Sequence, residues 1–177
     1  MRLVESIRGG TVTYHEANPI QQFLRWSAAT APVSWLYRRV LHHIDRLGYR
    51  LTRGRYTPSG WFTGLPVVIL TTTGARTGQQ RTSPVIGMPD AGNVVVIASN
   101  WGQRHAPAWY YNLRANPAAA VTVGGVVHRV RAREAIGDER DRLWRRDLEL
   151  YPGRAAYERR AANRRIPVVV LEPVSGD

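Results

Sequence analysis

The stretch PVVILTTTGARTGQQRTSPVIGM, residues 66–88, decides the fold, because two β-rich runs flank a short glycine-containing turn. The runs 66–72 and 80–88 are rich in apolar and β-branched residues, and Gly74 and Gly78 lie in the turn between them. This arrangement is typical of two antiparallel strands. The first run is apolar on both faces, as strands buried on both sides are. The sequence therefore predicts a hairpin within a buried sheet.

Four further runs have the character of strands, and three have that of helices. The strand runs are NVVVIAS at 93–99, AAVTVGG at 119–125, VVHRVRARE at 126–134 and IPVVVLEP at 166–173. The helical runs are 107–117, which has a proline at each end, 138–152 and 153–165. Together they predict an α+β fold, with a six- or seven-stranded antiparallel sheet or small barrel and helices packed outside it.

The N-terminal part of the chain is predicted to be helical. Asn18 followed by Pro19 is typical of a helix start, and this first helix is expected to end near Pro32. A second helix at 33–47 places an apolar stripe opposite a face of arginines and histidines. That face is either an ordinary solvated surface or a contact surface for an anionic membrane. Residues 49–64 are expected to form a connection or a short edge strand.

Length and composition fit one globular unit of 177 residues. Residues 1–60 are predicted to be an N-terminal helical segment and residues 61–177 a barrel domain that binds a cofactor, within one structural domain overall. The absence of cysteine excludes disulfides and thiolate metal ligands. No apolar run approaches the length of a spanning helix, and the N-terminus lacks the apolar core of a signal peptide. A cytoplasmic location is therefore expected, with peripheral contact at the inner face of the cell membrane as an addition.

The chain is strongly basic, with 25 basic residues against 13 acidic ones and a net charge of +12. Every basic residue is arginine, whose planar guanidinium suits phosphates and carboxylates. A polyanionic ligand, an anionic membrane surface and nucleic acid are all candidate partners. Nucleic acid is the least favoured of them, because the charge is scattered and no nucleic-acid-binding module is recognisable.

Common catalytic motifs are missing from the sequence. It contains no GxxxxGK[ST], no GxSxG and no HExxH, and the turn at 74–78 leads into a strand where a Rossmann or P-loop site requires a helix. His42 and His43 diverge on a helix, and neither His105 nor His128 has an acidic neighbour at ligand spacing. No metal site is predicted.

The turn GARTGQQR and the segment ASNWGQRHAPAWYYNLRANP (98–117) are the candidate binding elements. The turn offers open backbone amides, threonine hydroxyls, Arg76 and Arg81 to an anion, although its glycines would serve a plain hairpin equally well. The second segment places aromatic rings near these donors, which suits a planar heterocycle with a phosphorylated tail. The alternative is that Trp109 and Tyr110 are core anchors.

Three blocks of the sequence resemble the deazaflavin (coenzyme F420)-dependent nitroreductase family. They are GLPVVILTTTGARTGQQRTSPV, VVVIASNWGQRHAPAWYYNLRANP and, more weakly, LYPGRAAYERRAANRRIPVVVLEP. The resemblance implies a split β-barrel of mostly antiparallel strands with flanking helices, of the flavin-reductase or FMN-binding type. It also implies an F420-dependent oxidoreductase that transfers a hydride between the deazaflavin and a small organic substrate such as a quinone or enone.

The resemblance assigns site residues by position. The phosphate and oligoglutamate tail of F420 would lie on Arg76, Thr77, Arg81, Thr82, Ser83, Pro84, Val85 and Ile86. The deazaflavin ring would lie on Ile97, Ala98, Ser99, Asn100, Ala108, Trp109, Tyr110, Tyr111 and Asn112. Tyr151 and Tyr157 match two tyrosines of a substrate pocket, with Arg154 in place of the aromatic residue between them. That departure argues against nitroimidazole reduction and favours a substrate with a negative or electron-rich oxygen.

Two other functions stay open at this point. One is an FMN-dependent split-barrel oxidoreductase, against which the GxRTGxxRTSP turn counts. The other is a non-catalytic carrier of F420 or a lipid that docks on an anionic membrane. Either a monomer or a homodimer is compatible with the sequence.

Overall fold

The computed structural model describes residues 16–28, 64–161 and 164–174. Six strands form a closed barrel in the order β1-β2-β3-β6-β5-β4, and all neighbours are antiparallel. The strands are β1 Val67–Thr73, β2 Gln80–Asp90, β3 Asn93–Ile97, β4 Ala118–Val123, β5 Val126–Glu134 and β6 Val168–Pro173. The helices are α1 Pro19–Ala28, α2 Ala108–Ala115, α3 Gly137–Leu150 and α4 Arg154–Arg160, with a 3-10 helix at Asn100–Gly102. The predicted α+β split barrel with flanking helices is confirmed.

The central strands β3 and β6 bury both of their faces. Val94 and Val96 belong to the apolar core inside the barrel, whereas Val95 and Ile97 belong to an outer core that includes Leu143 of α3. Burying such a side chain contributes about 1.5–3 kcal/mol relative to leaving it exposed. Apolar residues on both faces of the 93–99 run therefore reflect a strand between the barrel interior and the helices.

The β1–β2 hairpin has the predicted antiparallel pairing, with Thr73 opposite Gln80 at the turn. Further along β2, a Cβ atom on Gly87 would come within 2.9 Å of side-chain atoms of both Val68 and Val94. Only glycine fits at this position, because the valines of both neighbouring strands occupy the space that a side chain would need.

Helix α1 begins where the sequence predicts. The Gln21 N–H donates to Oδ1 of Asn18 at 2.8 Å, and the Asn18 N–H donates to Oε1 of Gln21 at 3.3 Å. This reciprocal pair satisfies two backbone donors at the helix start. The predicted end near Pro32, the second helix at 33–47 and nearly all of the connection at 49–64 lie outside the described residues. The division at residue 60 stays a prediction.

The C-terminal helical run is shorter than predicted. Helix α4 ends at Arg160, and the Arg164 N–H closes a turn on the carbonyl of Ala161 at 3.1 Å. Residues 164–167 are not helical, because Ile166 enters the outer core and β6 begins at Val168. None of the helices in the described part of the chain is long and apolar enough to cross a membrane.

Candidate functional site

The turn between β1 and β2 closes on its own backbone. The Gly74 N–H donates to the carbonyl of Gln79 at 2.8 Å, and the Gly78 N–H donates to the carbonyl of Gly74 at 2.8 Å. Gly78 has a φ of +67°, which a glycine adopts without steric cost. The remaining side chains of the turn point outward and are exposed. The turn is therefore a fixed loop that presents its side chains to solvent.

Asn112 ties this turn to helix α2. Its Oδ1 accepts from the Ala75 N–H at 3.0 Å, and its Nδ2 donates to Oγ1 of Thr72 at 3.0 Å. Asn112 and Thr72 are both buried. The resemblance assigned Asn112 to the ring, and the structure gives its side chain the role of holding the turn against α2.

Arg76 and Arg81 extend from the turn as exposed side chains. Within residues 16–28, 64–161 and 164–174, no carboxylate forms an ion pair with either guanidinium. Arg81 donates from Nη2 to Oε1 of Gln79 at 3.0 Å, and Thr77 is exposed beside them. Guanidiniums without a carboxylate partner remain available to an anionic ligand. These donors fit the phosphate and carboxylates of a cofactor tail.

The predicted tail residues on β2 differ in exposure. Thr82 is exposed opposite Thr71, whereas Ser83, Pro84, Val85 and Ile86 are half-buried. Val85 packs against the core inside the barrel, and Ile86 packs against the outer core. Thr82 and the backbone of this stretch are therefore the parts that a ligand can reach most readily.

The loop after β3 is centred on Ser99, which is almost fully buried. Its N–H donates to the carbonyl of Ile97 at 2.9 Å, so this amide is engaged within the protein. Its Oγ accepts from Nη1 of Arg154 at 2.7 Å. Its carbonyl accepts from the Gly102 N–H at 3.0 Å and from Nη2 of Arg164 at 3.2 Å. Ser99 is thus held between two guanidiniums.

Two non-glycine residues of this loop adopt positive φ. Asn100 has a φ of +47° and Trp101 has a φ of +58°. The Asn100 Nδ2 donates to the carbonyl of His105 at 2.9 Å, which fixes the loop in this conformation. Such strained residues persist when their surroundings determine the conformation, and they are often found at functional sites.

The aromatic residues at the start of α2 are divided between core and surface. Trp109 and Tyr110 are buried in the core inside the barrel, whereas Ala108 and Tyr111 are exposed. The Tyr110 hydroxyl donates to Oε2 of Glu134 at 2.7 Å. Burial, followed by this hydrogen bond to a carboxylate, raises the pKa of Tyr110 to about 12. Tyr111 is therefore the one of these three aromatic rings most available to a ligand.

Tyr151 and Tyr157 form a buried pair. Their hydroxyl oxygens lie 2.8 Å apart, and their ring centroids lie 5.8 Å apart in an edge-to-face arrangement. Burial raises the pKa of the Tyr151 hydroxyl well above its ordinary value, so it stays protonated at neutral pH. The Trp101 ring lies 6.0 Å from that of Tyr157, which places the pair beside the loop after β3.

Arg154 is buried between these elements. Its Nε donates to Oδ2 of Asp147 at 3.0 Å, its Nη1 donates to Ser99, and its guanidinium carbon lies 5.4 Å from the centre of the Tyr151 ring. Asp147 is 1% exposed, and burial raises its pKa while the neighbouring guanidinium opposes that shift. The carboxylate balances the charge of Arg154. Contact between Arg154 and a substrate stays a prediction.

Hydrogen bonds and ring contacts connect all three groups of predicted residues. Asn112 connects the turn to α2, Ser99 connects the loop after β3 to α4, and Trp101 connects that loop to the tyrosine pair. A family model described as F420H(2)-dependent quinone reductase matches residues 44–173, which is more than half of the chain.

The chain belongs to the F420H(2)-dependent quinone reductase family.

Three known proteins are similar to this chain over nearly all of their own length. An F420H(2)-dependent quinone reductase of Mycobacterium tuberculosis is 36% identical over 145 residues, covering 77% of this chain and 95% of the relative. The solved structure of an F420-H2 dependent reductase, FDR-A, is 38% identical with a TM-score of 0.56, covering 60% of this chain and 94% of that one. A solved structure described as a domain-swapped dimer is 31% identical with a TM-score of 0.58, covering 80% of this chain and 100% of that one.

Membership in the F420H(2)-dependent quinone reductase family confirms the predicted resemblance to F420-dependent split-barrel proteins. The protein is an oxidoreductase with coenzyme F420 as its cofactor and a small molecule as its substrate. F420 is thereby favoured over FMN, and an enzyme over a non-catalytic carrier. The roles of individual residues at the site stay predictions.

Two residues of the candidate site are not among those that the sequence predicts. Asp147 lies on the buried stripe of α3 with Leu143, Trp144 and Leu150, and a carboxylate on such a stripe is a signal that it has a buried partner. Arg164 follows α4 in an arginine-rich run, and nothing in the sequence distinguishes it from its neighbours.

Proposed function

We propose that this protein transfers a hydride from reduced F420 to a small quinone. The proposal is carried by two guanidiniums, those of Arg76 and Arg81, which have no carboxylate partner among the described residues. They extend from a turn that Asn112 holds against α2. F420 has a polyanionic tail, and this turn presents cationic donors beside α2, the helix that follows the loop assigned to the ring. The names of the relatives supply the quinone as acceptor.

Binding in this proposal divides the site into two parts. Arg76, Thr77, Arg81 and Thr82 hold the phosphate and carboxylates of the tail from side chains that face solvent. The loop at Ile97–Asn100 and the exposed Ala108 and Tyr111 of α2 hold the ring. The remaining predicted contacts at 83–86, 109–110 and 112 act mainly by shaping these surfaces, because their side chains are wholly or partly buried.

The bound deazaflavin would supply the hydride. The protein would hold the ring and the acceptor in position and offer protonated hydroxyl groups to the acceptor. Tyr151 and Tyr157 stand on the acceptor side, where one hydroxyl donates to the other and the second can donate to the acceptor. Burial keeps the Tyr151 hydroxyl protonated. A hydroxyl that donates to a quinone oxygen stabilises the negative charge that develops there. Arg154 contributes by holding Ser99, and an enone acceptor would use the same donors.

A titration of the purified protein with oxidised F420, followed by fluorescence, tests the proposal, with FMN as the parallel ligand. We expect saturable, salt-sensitive binding of F420 and weak or no binding of FMN. Reduced F420 and a soluble naphthoquinone should then give turnover, seen as the return of F420 fluorescence. Tight binding of FMN alone, or binding of F420 without turnover of any quinone or enone, would contradict this function.

The assembly and location of the protein belong to the same proposal. A homodimer is supported by the relative described as a domain-swapped dimer, and light scattering of the purified protein decides between dimer and monomer. Helix α1 exposes Ile20, Phe23 and Trp26, each more than half accessible, which supports peripheral contact with an anionic membrane. Absence of co-sedimentation with anionic vesicles would remove that contact. The cytoplasmic location stays a prediction.

A further inference from the structure

Arg164 donates to three backbone carbonyls of the loop after β3. Its Nη1 lies 3.4 Å from the carbonyl oxygen of Ala98, and its Nη2 lies 3.2 Å from that of Ser99 and 3.1 Å from that of Gln103. The side chain is half-buried. These bonds fix the guanidinium against the segment that the proposed function assigns to the deazaflavin ring.

The charge of Arg164 is not balanced by any carboxylate in the described part of the chain. No Asp or Glu in the described ranges forms an ion pair with it, whereas Asp147 balances Arg154 on the other side of Ser99. The guanidinium of Arg164 donates hydrogen bonds to backbone carbonyls instead. Burial lowers the pKa of Arg164. A guanidinium nevertheless stays charged at any ordinary pH. The two arginines that hold Ser99 are therefore electrostatically different.

The other ionisable groups around Arg164 do not neutralise its positive charge. Tyr110 and Tyr111 on α2 interact with Arg164, and the carboxylate of Glu134 on β5 lies beyond the hydroxyl of Tyr110. Tyr110 is neutral at physiological pH because its pKa is about 12. Arg104 and His105 in the same loop are exposed to solvent.

We propose that Arg164 supplies the positive charge that makes this site favour the anionic form of the deazaflavin ring. The inference rests on the proposed function, because it requires F420 at the site. The ring of F420 carries a hydroxyl group whose ionisation yields an anion, and a fixed cation nearby favours the ionised form. Arg164 acts on the ring through its electrostatic field, from its fixed place against the loop, so it is a positioning residue.

Absorbance titration of bound, oxidised F420 against pH measures this effect without turnover. In the native protein the ring hydroxyl should ionise at a lower pH than in free F420. Arg164→Gln should raise that pKa by about one unit, since a lost favourable charge of this kind is worth roughly that much. Arg164→Lys keeps the charge and should stay near the native value. Arg165→Gln removes an exposed arginine from the same segment and serves as the matched control.

Each result of this titration has a definite meaning. A native complex whose ring ionises at or above the pH of free F420 overturns the inference without any variant. Equal shifts in Arg164→Gln and Arg164→Lys also overturn it, because loop geometry and not charge would then be responsible. Failure of the native protein to bind F420 at all would instead contradict the proposed function, and this inference with it.

Discussion

Arg154 and Asp147 form an ion pair that is almost wholly removed from water, with Nε of the arginine 3.0 Å from Oδ2 of the aspartate. The two residues lie on α4 and α3, and the same guanidinium reaches Ser99 after β3. One buried charge pair therefore joins both C-terminal helices to the barrel. A buried pair of this kind costs desolvation energy, so the intact pair adds little to the stability of the fold. Removing only one of its two charges destabilises the fold strongly, because the other charge is left buried without a partner.

Asp147→Asn should strongly destabilise the fold, because it leaves the guanidinium of Arg154 buried without a counter-charge. The expected loss is about 3–5 kcal/mol in the free energy of unfolding. Urea denaturation at neutral pH measures it. Asp138→Asn, at an exposed position in the first turn of α3, is the control and should cost less than about 1 kcal/mol. Equal costs for the two variants would show that Asp147 does not carry a buried pair.

Replacement of Arg76 and Arg81 by alanine together should weaken the binding of F420 about tenfold or more, as expected for the loss of two solvent-exposed, charge-assisted contacts. The affinity that remains should depend less on salt, since fewer charges meet the tail. Fluorescence titration at two ionic strengths measures both effects. Arg145→Ala with Arg159→Ala removes the same net charge from exposed positions on α3 and α4. An identical loss in that control would assign the effect to net charge alone.

Asp90 should contribute stability that depends on pH. Arg142 and Arg146 both donate to its carboxylate, and the hydrogen bond from Arg142 is the main cause that lowers the pKa of Asp90. Because the folded-state pKa is depressed, the contribution is complete above the unfolded value of about 3.9 and disappears as the pH falls through the folded value.

Asp90→Asn should therefore destabilise the protein at pH 7, by about 1–2 kcal/mol, since the partners of Asp90 are themselves half-exposed. The difference from the native protein should shrink in acid below the ordinary pKa of aspartate. Urea midpoints at pH 7 and near pH 3 test this. Glu149→Gln, at an exposed site on α3, the helix that carries Arg142 and Arg146, is the control. A difference that stays constant with pH would rule out the linkage.

Gly102→Ala should disturb the contact between the loop after β3 and α4. Gly102 has a φ of +77°, and a Cβ there would lie 2.9 Å from both Cα and the carbonyl oxygen of Tyr157. The expected cost is about 3 kcal/mol, from backbone strain and overpacking together. Gly124→Ala carries only the strain, about 1 kcal/mol, since its φ is +57° with open space around it. Similar thermal shifts in the two variants would argue against a close contact.

The sequence predicts the strands well because apolar periodicity records how many faces of a strand are buried. The run at 93–99 is apolar on both faces from Val94 to Ala98, and Val95 and Val96 do enter different cores. Periodicity does not record which strand lies alongside. The pairing of β3 with β6, which closes the barrel next to β5, therefore follows from the structure alone.

The sequence indicates which segments form the candidate site, but it does not indicate which side chains contact one another there. A tryptophan or tyrosine suits both a ligand wall and a core, so Trp109 and Tyr110 were placed at the ring although both belong to the barrel core. The partner of Arg154 was missed because Asp147 is seven residues away across a turn, beyond the spacings that helix patterns record. The contacts of Arg164 with the loop after β3 depend on where the chain goes after α4, and no local sequence pattern specifies that path.

The closed barrel has a consequence for self-association. Each of its six strands has a hydrogen-bonded neighbour on both sides, but β2 pairs with β1 through residues 80–86 and with β3 only through residues 87–90. Along residues 80–86, the side of β2 that faces away from β1 therefore pairs with none of the described strands. Two copies that both stay closed have this short stretch and their outward-facing side chains for contact, and a larger exchange requires a strand to leave its own barrel and complete another.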